Sequence, residues 1–157
     1  MTLKHYFKAH LAWLFKTPAS DRSKRQYTKS HTLQIDGKVD LHVSAAKAFK
    51  GDPSLHNPED LLLSSLMSCH MMSYLYVTSQ HSIDMVAYSD QAEAILESYT
   101  DGSGKIVQVN LNPIVKLADA QQIDLALSLH QEAHRLCFIA NSCNFKVEIS
   151  PRCILIA

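Results

Sequence analysis

Apolar and polar residues alternate between Leu33 and Val43, with Leu33, Ile35, Val39, Leu41 and Val43 on either side of Asp36-Gly37. A period of two marks a strand with one buried face, and Asp-Gly between two such runs marks a hairpin turn. Residues 26–46 are therefore predicted as two strands, preceded by a third over the Tyr- and Leu-containing run 5–16. The alternation stops at Lys47–His56, where Gly51, Asp52, Pro53 and Ser54 predict a loop from sheet to helix. Asn57-Pro58-Glu59-Asp60 follows with a capping residue, a proline at the first helical position and two acids facing the positive end of the dipole. From Leu61 to Val77 apolar residues fall on nearly every face with small serines between, the pattern of a helix buried in the middle of a protein.

Strand-like runs return at 84–98 and 105–117, joined by Asp101-Gly102-Ser103-Gly104. That glycine pair predicts a hairpin turn, since neither a helix start nor the Lys-Ser/Thr of a phosphate cradle follows it. Ala118–Leu136 carries Ile123, Leu125, Ala126, Leu129 and Ala133 at helical spacing, and Phe145–Ile156 closes as a strand with Val147, Ile149, Ile154 and Ile156. The predicted order is β-β-β-α-β-β-α-β in one α+β domain, 1–157, long enough for a substantial core.

Lys plus Arg and Asp plus Glu number 15 each, so there is no basic field for nucleic acid and no acidic tail. Basic residues interrupt Met1–His10, which lacks the continuous apolar region of a secretion signal, and a cytoplasmic chain is expected. No membrane span is expected either, because Leu61–Met72 contains three serines, a cysteine and a histidine. In a cytosolic chain the four cysteines, 69, 137, 143 and 153, are expected as thiols rather than as a disulfide framework.

Cys69, in the apolar helix, and Cys137, in His134-Arg-Leu-Cys-Phe-Ile-Ala-Asn-Ser, are the chemically informative pair. A thiol in an electropositive, partly open pocket is a nucleophile, and a second thiol within reach makes its oxidation resettable. The alternative is that both are buried packing residues. Cys69 lies ~15 Å past the helix start, beyond the reach of the dipole, so an activating cation has to come from another segment. Lys47, Lys50, Arg25 and His70 are the candidates, although His70 points about 100° away on an ideal helix and reads as packing or surface. The same spacing separates Glu59 from Cys69; if both serve one pocket, Glu59 is more simply supplied by a second subunit. His130, His134 and Cys137 fall at i, i+4 and i+7, one helical face that suits a metal, but no fourth ligand is identifiable by spacing. Cys143 and Cys153 read as packing residues.

Three segments carry a resemblance: Asn57-Pro-Glu-Asp-Leu-Leu62, then Leu66-Met-Ser-Cys-His70, then His134-x-x-Cys137-Phe-Ile-Ala-Asn141-Ser142. Together they resemble the OsmC/Ohr family of thiol peroxidases, which has such a helix start, a cysteine ten residues after the glutamate, and a second cysteine late in the chain. The resemblance implies the OsmC-like fold and an intertwined homodimer with active sites at the subunit interface, reducing organic hydroperoxides or hydrogen peroxide. It implies Cys69 as the peroxidatic thiol, Cys137 as the resolving thiol, and Glu59 as the residue that holds the family's activating arginine. No resident cofactor or metal is implied; the reductant is an external dithiol or a lipoyl protein. The sequence departs from the family at that arginine, for which Lys47, Lys50 and Arg25 are the available replacements, and at Phe138, where proline is common. The alternative function is an OsmC-like protein that binds a small molecule or metal without efficient turnover.

Overall fold

The computed structural model describes residues 2–14 and 27–156. The chain divides into two compact units, Met1–Leu61 and Leu62–Ala157, the division falling inside one continuous helix.

The first unit is a three-stranded antiparallel sheet, β1 (His10–Ala12), β2 (His31–Gln34) and β3 (Leu41–Val43), in that spatial order. The β2–β3 hairpin pairs Leu33 with Leu41 and turns at Asp36-Gly37, where Gly37 takes the left-handed φ of 76° that the turn requires. Among the described residues of the run 5–16, His10–Ala12 alone forms a strand, and Leu3, Tyr6 and Phe7 stand exposed. After β3 the loop makes one short 3-10 turn, Lys47–Phe49, and folds back so closely that a Cβ on Gly51 would lie 1.6 Å from the Ala45 carbonyl oxygen. Only glycine fits there. The helix α1 (Pro58–Gln80) then starts as the sequence indicates, with the Asn57 side chain accepting from the Asp60 N–H at 2.9 Å and donating to its carboxylate at 2.7 Å.

The second unit contains the rest of α1, β4 (Met85–Asp90), β5 (Glu93–Ser98), β6 (Gly104–Leu111), β7 (Pro113–Leu117), α2 (Ile123–Leu136), the single-turn α3 (Phe138–Asn141), β8 (Lys146–Ile149) and β9 (Arg152–Leu155). Each of the three runs expected as one strand is broken in two, and its halves enter different sheets, β4-β7-β9 and β5-β6-β8. Pro113 and Pro151 lack the N–H that a continuing ladder would use. The first two corners are tied together, the Asp90 carboxylate accepting from the Asn112 N–H at 2.8 Å and the Asn112 amide donating to the Gln91 carbonyl at 2.9 Å. Both β6–β8 and β7–β9 pair in parallel, with Val109 opposite Val147 and Val115 opposite Cys153.

Leu66, His70, Tyr74 and Val77 form the buried stripe of α1. Leu66 packs with Val109, Leu111 and Cys137, whereas Tyr74 and Val77 pack with Val115, Leu117, Ala126, Leu129 and Ala133. Burying each large side chain contributes roughly 1.5–3 kcal/mol. The helix is buried along this stripe only: Met72, Leu75 and Tyr76 are 56%, 41% and 61% exposed, so the apolar faces that suggested complete burial leave a second face uncovered in the single chain. By length and composition alone α1 also qualifies as a membrane span, with a mean hydropathy of 1.2, which its interspersed serines had argued against. Its role as the core helix of the second unit accounts for that composition without a membrane.

Between the two apolar clusters lies a layer of histidines. His70 Nε2 is 3.1 Å from His130 Nδ1, the Tyr74 ring stacks on His130 with centroids 3.9 Å apart, and the Tyr74 hydroxyl donates to the Ala126 carbonyl at 2.9 Å. Burial pushes His70 down to about 4, with a smaller contribution from nearby His134, and His130 down to about 3, with a smaller contribution from His70. Both are therefore neutral in the folded protein at pH 7. Between pH 6.5 and these values the unfolded chain binds protons that the folded chain does not, so stability is complete above pH 6.5 and is lost as pH falls toward 4. A shift of this size is worth on the order of 3 kcal/mol per histidine. The urea midpoint followed by circular dichroism is expected to fall between pH 6.5 and 4, with a shallower fall in His130→Gln; a flat wild-type profile contradicts this account.

Candidate thiol site

Cys137 marks the point where α2 ends and α3 begins. Its backbone, at φ −72° and ψ 107°, leaves the helical region, its N–H donates to the His134 carbonyl at 3.1 Å, and its Sγ accepts from the Ala140 N–H at 3.5 Å. The break turns its side chain into the cluster with Leu66, Val109 and Leu111, where it is fully buried. Cys69, half-buried on α1, packs against the same cluster, and the two thiols are within hydrogen-bonding reach of each other. Burial pushes the Cys137 thiol up to about 11; the Ala140 N–H pulls the other way and Cys69 adds to the rise. Cys137 is thus a neutral thiol at pH 7, suited to donate a hydrogen bond to a thiolate at Cys69. All four cysteines are free.

Cys69 opens onto a cavity of about 390 Å³ that it lines with Met72, Ser73, Tyr76, Leu136 and Phe138. The first four lie at i, i+3, i+4 and i+7 along α1, one face of the helix. Leu136 and Phe138 flank Cys137 in sequence, and Phe138 is 80% exposed. No lining residue is charged. A molecule entering from solvent meets Cys69 in an apolar chamber, while Cys137 reaches the same thiol from the core.

The other candidates are placed differently. Glu59 stands half-buried in the first turn of α1, and its Oε2 is buried with no hydrogen-bond partner among the described residues. Lys47 and Lys50 are exposed in the first unit, Lys50 at a left-handed φ of 59°. Arg25 lies outside the described residues. His70, adjacent to Cys69 in sequence, belongs to the histidine layer and bonds to His130. The spacing of His130, His134 and Cys137 does not become a metal site: Cys137 leaves the helical face at the α2–α3 break, and among the described residues no group of three His, Cys, Asp or Glu side chains is placed to hold a metal ion. Cys153 packs beside the Tyr74 cluster. Met72, Ser73, Tyr76 and Leu136 were not singled out from the sequence, although counting helical turns from Cys69 finds the first three.

Residues 51–152 match the family model described as OsmC-like protein. The chain belongs to the OsmC-like family. None of the curated protein sequences matches it. Among solved structures it is similar to an OsmC-like protein of unknown function from Vibrio cholerae, with 26% identity and a TM-score of 0.79 over 98% of this chain and 100% of that one. It is also similar to an organic hydroperoxide resistance protein from Elizabethkingia anophelis, with 16% identity and a TM-score of 0.70 over 99% of this chain and 100% of the other. A third similar structure is the organic hydroperoxide resistance protein OsmC of Legionella pneumophila, with 17% identity and a TM-score of 0.70 over 95% and 96% of the two chains. These likenesses place the chain in an α+β fold shared with hydroperoxide resistance proteins.

The contrast between the two thiols of this OsmC-like chain has a direct readout. At pH 7.5 iodoacetamide is expected to label Cys69 well before Cys137, since the former lines a cavity and the latter is buried and protonated; Cys137 becomes reactive on denaturation. Peptide mapping of a time course checks the order, and prior labelling of Cys137 refutes it.

Proposed function

We propose that this chain is a two-cysteine hydroperoxide reductase. The observation that carries the reading is the buried Cys137 thiol within reach of Cys69 where Cys69 opens onto an apolar cavity. The Cys69 thiolate attacks the outer peroxide oxygen; an S–O bond forms, the O–O bond breaks, and the alcohol departs. Cys137 then attacks the sulfenic sulfur, water leaves, and a Cys69–Cys137 disulfide remains. An external dithiol, a small molecule or a lipoyl protein, restores both thiols through a mixed disulfide, so no resident cofactor or metal takes part. The lining favours an organic over an inorganic peroxide, because an alkyl or aryl group gains ~25 cal/mol for each Å² it buries there.

Two further elements belong to the proposal. The uncovered face of α1, with Met72, Leu75 and Tyr76, supports a homodimer that does not dissociate before it unfolds. The buried oxygen of Glu59, without a partner among the described residues, supports a cation at that carboxylate, with Arg25, Lys47 and Lys50 as candidates for the family's arginine. Free thiols and an external dithiol suit the cytoplasm, and neither nucleic acid nor a membrane has a role.

The decisive experiment treats reduced protein with cumene hydroperoxide and maps its thiols. The wild type is expected to form the Cys69–Cys137 disulfide and to turn over with dihydrolipoamide, Cys137→Ser to stop at a dimedone-reactive Cys69, and Cys69→Ser to be inactive. Oxidation directed to Cys143 or Cys153, or a Cys69 that stays reduced, overturns the reading in favour of a binding protein without turnover. In sedimentation at micromolar concentration the species is expected at twice 17.6 kDa, and a folded monomer overturns the dimer.

A further inference from the structure

We propose that the bond between His70 and His130 holds Cys137 in place to capture oxidised Cys69, so that losing it diverts Cys69 from a recoverable disulfide to an irreversible sulfinic acid. The inference rests on the hydroperoxidase reading and adds two positioning residues to it. Both imidazoles are buried, 0% and 2% exposed, and act through the helices that carry the thiols.

The Cys69 sulfenic acid has two fates. When the Cys137 sulfur attacks it, the S–O bond breaks, the disulfide forms and water leaves. When instead the sulfenic sulfur takes the outer oxygen of a second hydroperoxide, that O–O bond breaks, a second alcohol leaves, and the sulfinic acid that remains is not reduced by dithiols. The first route is internal and the second rises with peroxide concentration. What divides them at a given concentration is how well Cys137 is placed.

A closed path through the second unit places it. His70 follows Cys69 directly on α1, and its Nε2 is 3.1 Å from His130 Nδ1 on α2. One turn further along α2 the His134 carbonyl accepts from the Cys137 N–H at 3.1 Å, and the Cys137 thiol, within hydrogen-bonding reach of Cys69, closes the path. His130 is itself held by Tyr74, whose ring stacks on it at 3.9 Å and whose hydroxyl donates to the Ala126 carbonyl at 2.9 Å. The apolar contacts on either side of this layer are non-directional and survive a small slide of α1 along α2. A buried hydrogen bond, confined to about 2.7–3.2 Å, does not. Cys69 rides on α1, and Cys137 has little freedom to follow it, because the α2–α3 break fixes its backbone and its Sγ accepts from the Ala140 N–H at 3.5 Å.

The test treats reduced full-length protein with increasing cumene hydroperoxide and reads, by mass spectrometry, the ratio of Cys69–Cys137 disulfide to Cys69 sulfinic acid. His130→Phe keeps a ring against Tyr74 and removes the bond. The double variant His70→Phe, His130→Phe removes both partners at once and leaves no buried nitrogen unpaired, which preserves the fold. His130→Asn puts an amide where Nδ1 stands, and Val77→Ala weakens the same stripe of α1 in the apolar cluster alone. The ratio is expected to fall about 100-fold in both Phe variants, while the first loss of the Cys69 thiol keeps its wild-type rate. His130→Asn is expected to recover most of the ratio, and Val77→Ala to keep it although its urea midpoint drops. An unchanged ratio in the double variant, no recovery in His130→Asn, or an equal fall in Val77→Ala overturns the assignment. If wild-type Cys69 resists cumene hydroperoxide, the hydroperoxidase reading falls and this one with it; if the wild type forms the disulfide and the Phe variants match it, this one alone falls.

Discussion

The buried stripe of α1 is the constraint on which the second unit depends. Leu66, His70, Tyr74 and Val77 follow one another at intervals of four, four and three residues: Leu66 meets one apolar cluster, His70 the histidine layer, and Tyr74 and Val77 the other cluster. Leu66 shares its cluster with Cys137, His70 bonds to His130, and Tyr74 stacks on His130 while bonding to the Ala126 carbonyl. Ascending α1 therefore descends α2, and the two polar bonds fix that register in a way apolar contacts alone do not. A slip of one residue would rotate the stripe by about 100° and carry Cys69 away from the layer in which Cys137 is buried. Breaking the histidine bond would leave a buried nitrogen without a partner, at a cost of about 1–3 kcal/mol. The register that positions the thiols thus rests on two polar bonds that involve neither of them.

The same packing keeps three titratable groups of the interior uncharged. His70 and His130 are held uncharged by burial, and so is Cys137. A neutral resolving thiol has a kinetic meaning within the proposed mechanism: it donates a hydrogen bond to the Cys69 thiolate, does not compete for peroxide, and is already beside the sulfenic acid once that forms. Its own attack requires loss of its proton, and the hydroxide displaced from the sulfenic sulfur is a base generated at that moment. The order of the two steps follows from the difference in burial between the thiols.

Much of this was legible in the sequence, for identifiable reasons. The start of α1 was written by Asn57-Pro58-Glu59-Asp60, a local signal that tertiary structure had no reason to override, and the Asp36-Gly37 hairpin likewise. The corners were not read, although Pro113 and Pro151 mark two of them, because apolar alternation runs through Asn112 and Ser150 without interruption and a change of sheet leaves the period of two intact. The His70–His130 bond was invisible because it joins residues 60 apart on two helices whose register is known only in three dimensions. The pairing of Cys69 with Cys137 came from motif resemblance, not from periodicity. By contrast, the helical face that brought His130, His134 and Cys137 together failed as a ligand set because the helix ends one residue before the cysteine.

The remaining requirement of the proposed chemistry is positive charge. In that proposal the second unit contributes the nucleophile and the resolving thiol, yet none of the residues lining the cavity is cationic. A helix dipole contributes 0.3–1 kcal/mol and only within the terminal turns. A cation about 4 Å from a thiolate is worth about 4 kcal/mol at an effective dielectric constant of 20. The difference is why the proposed mechanism calls on a side-chain cation rather than on the helix dipole, with Arg25, Lys47 and Lys50 as its candidates. Glu59, with one buried oxygen that has no partner among the described residues, limits what that cation has to be in the proposal. A lysine ammonium is a single point of charge on a mobile stem, whereas a guanidinium holds a carboxylate with one edge and still presents N–H groups elsewhere. Within the proposed mechanism Arg25 suits both demands in kind better than Lys47 or Lys50, with Glu59 supplied by a second subunit because ~15 Å of α1 separates it from Cys69 in one chain.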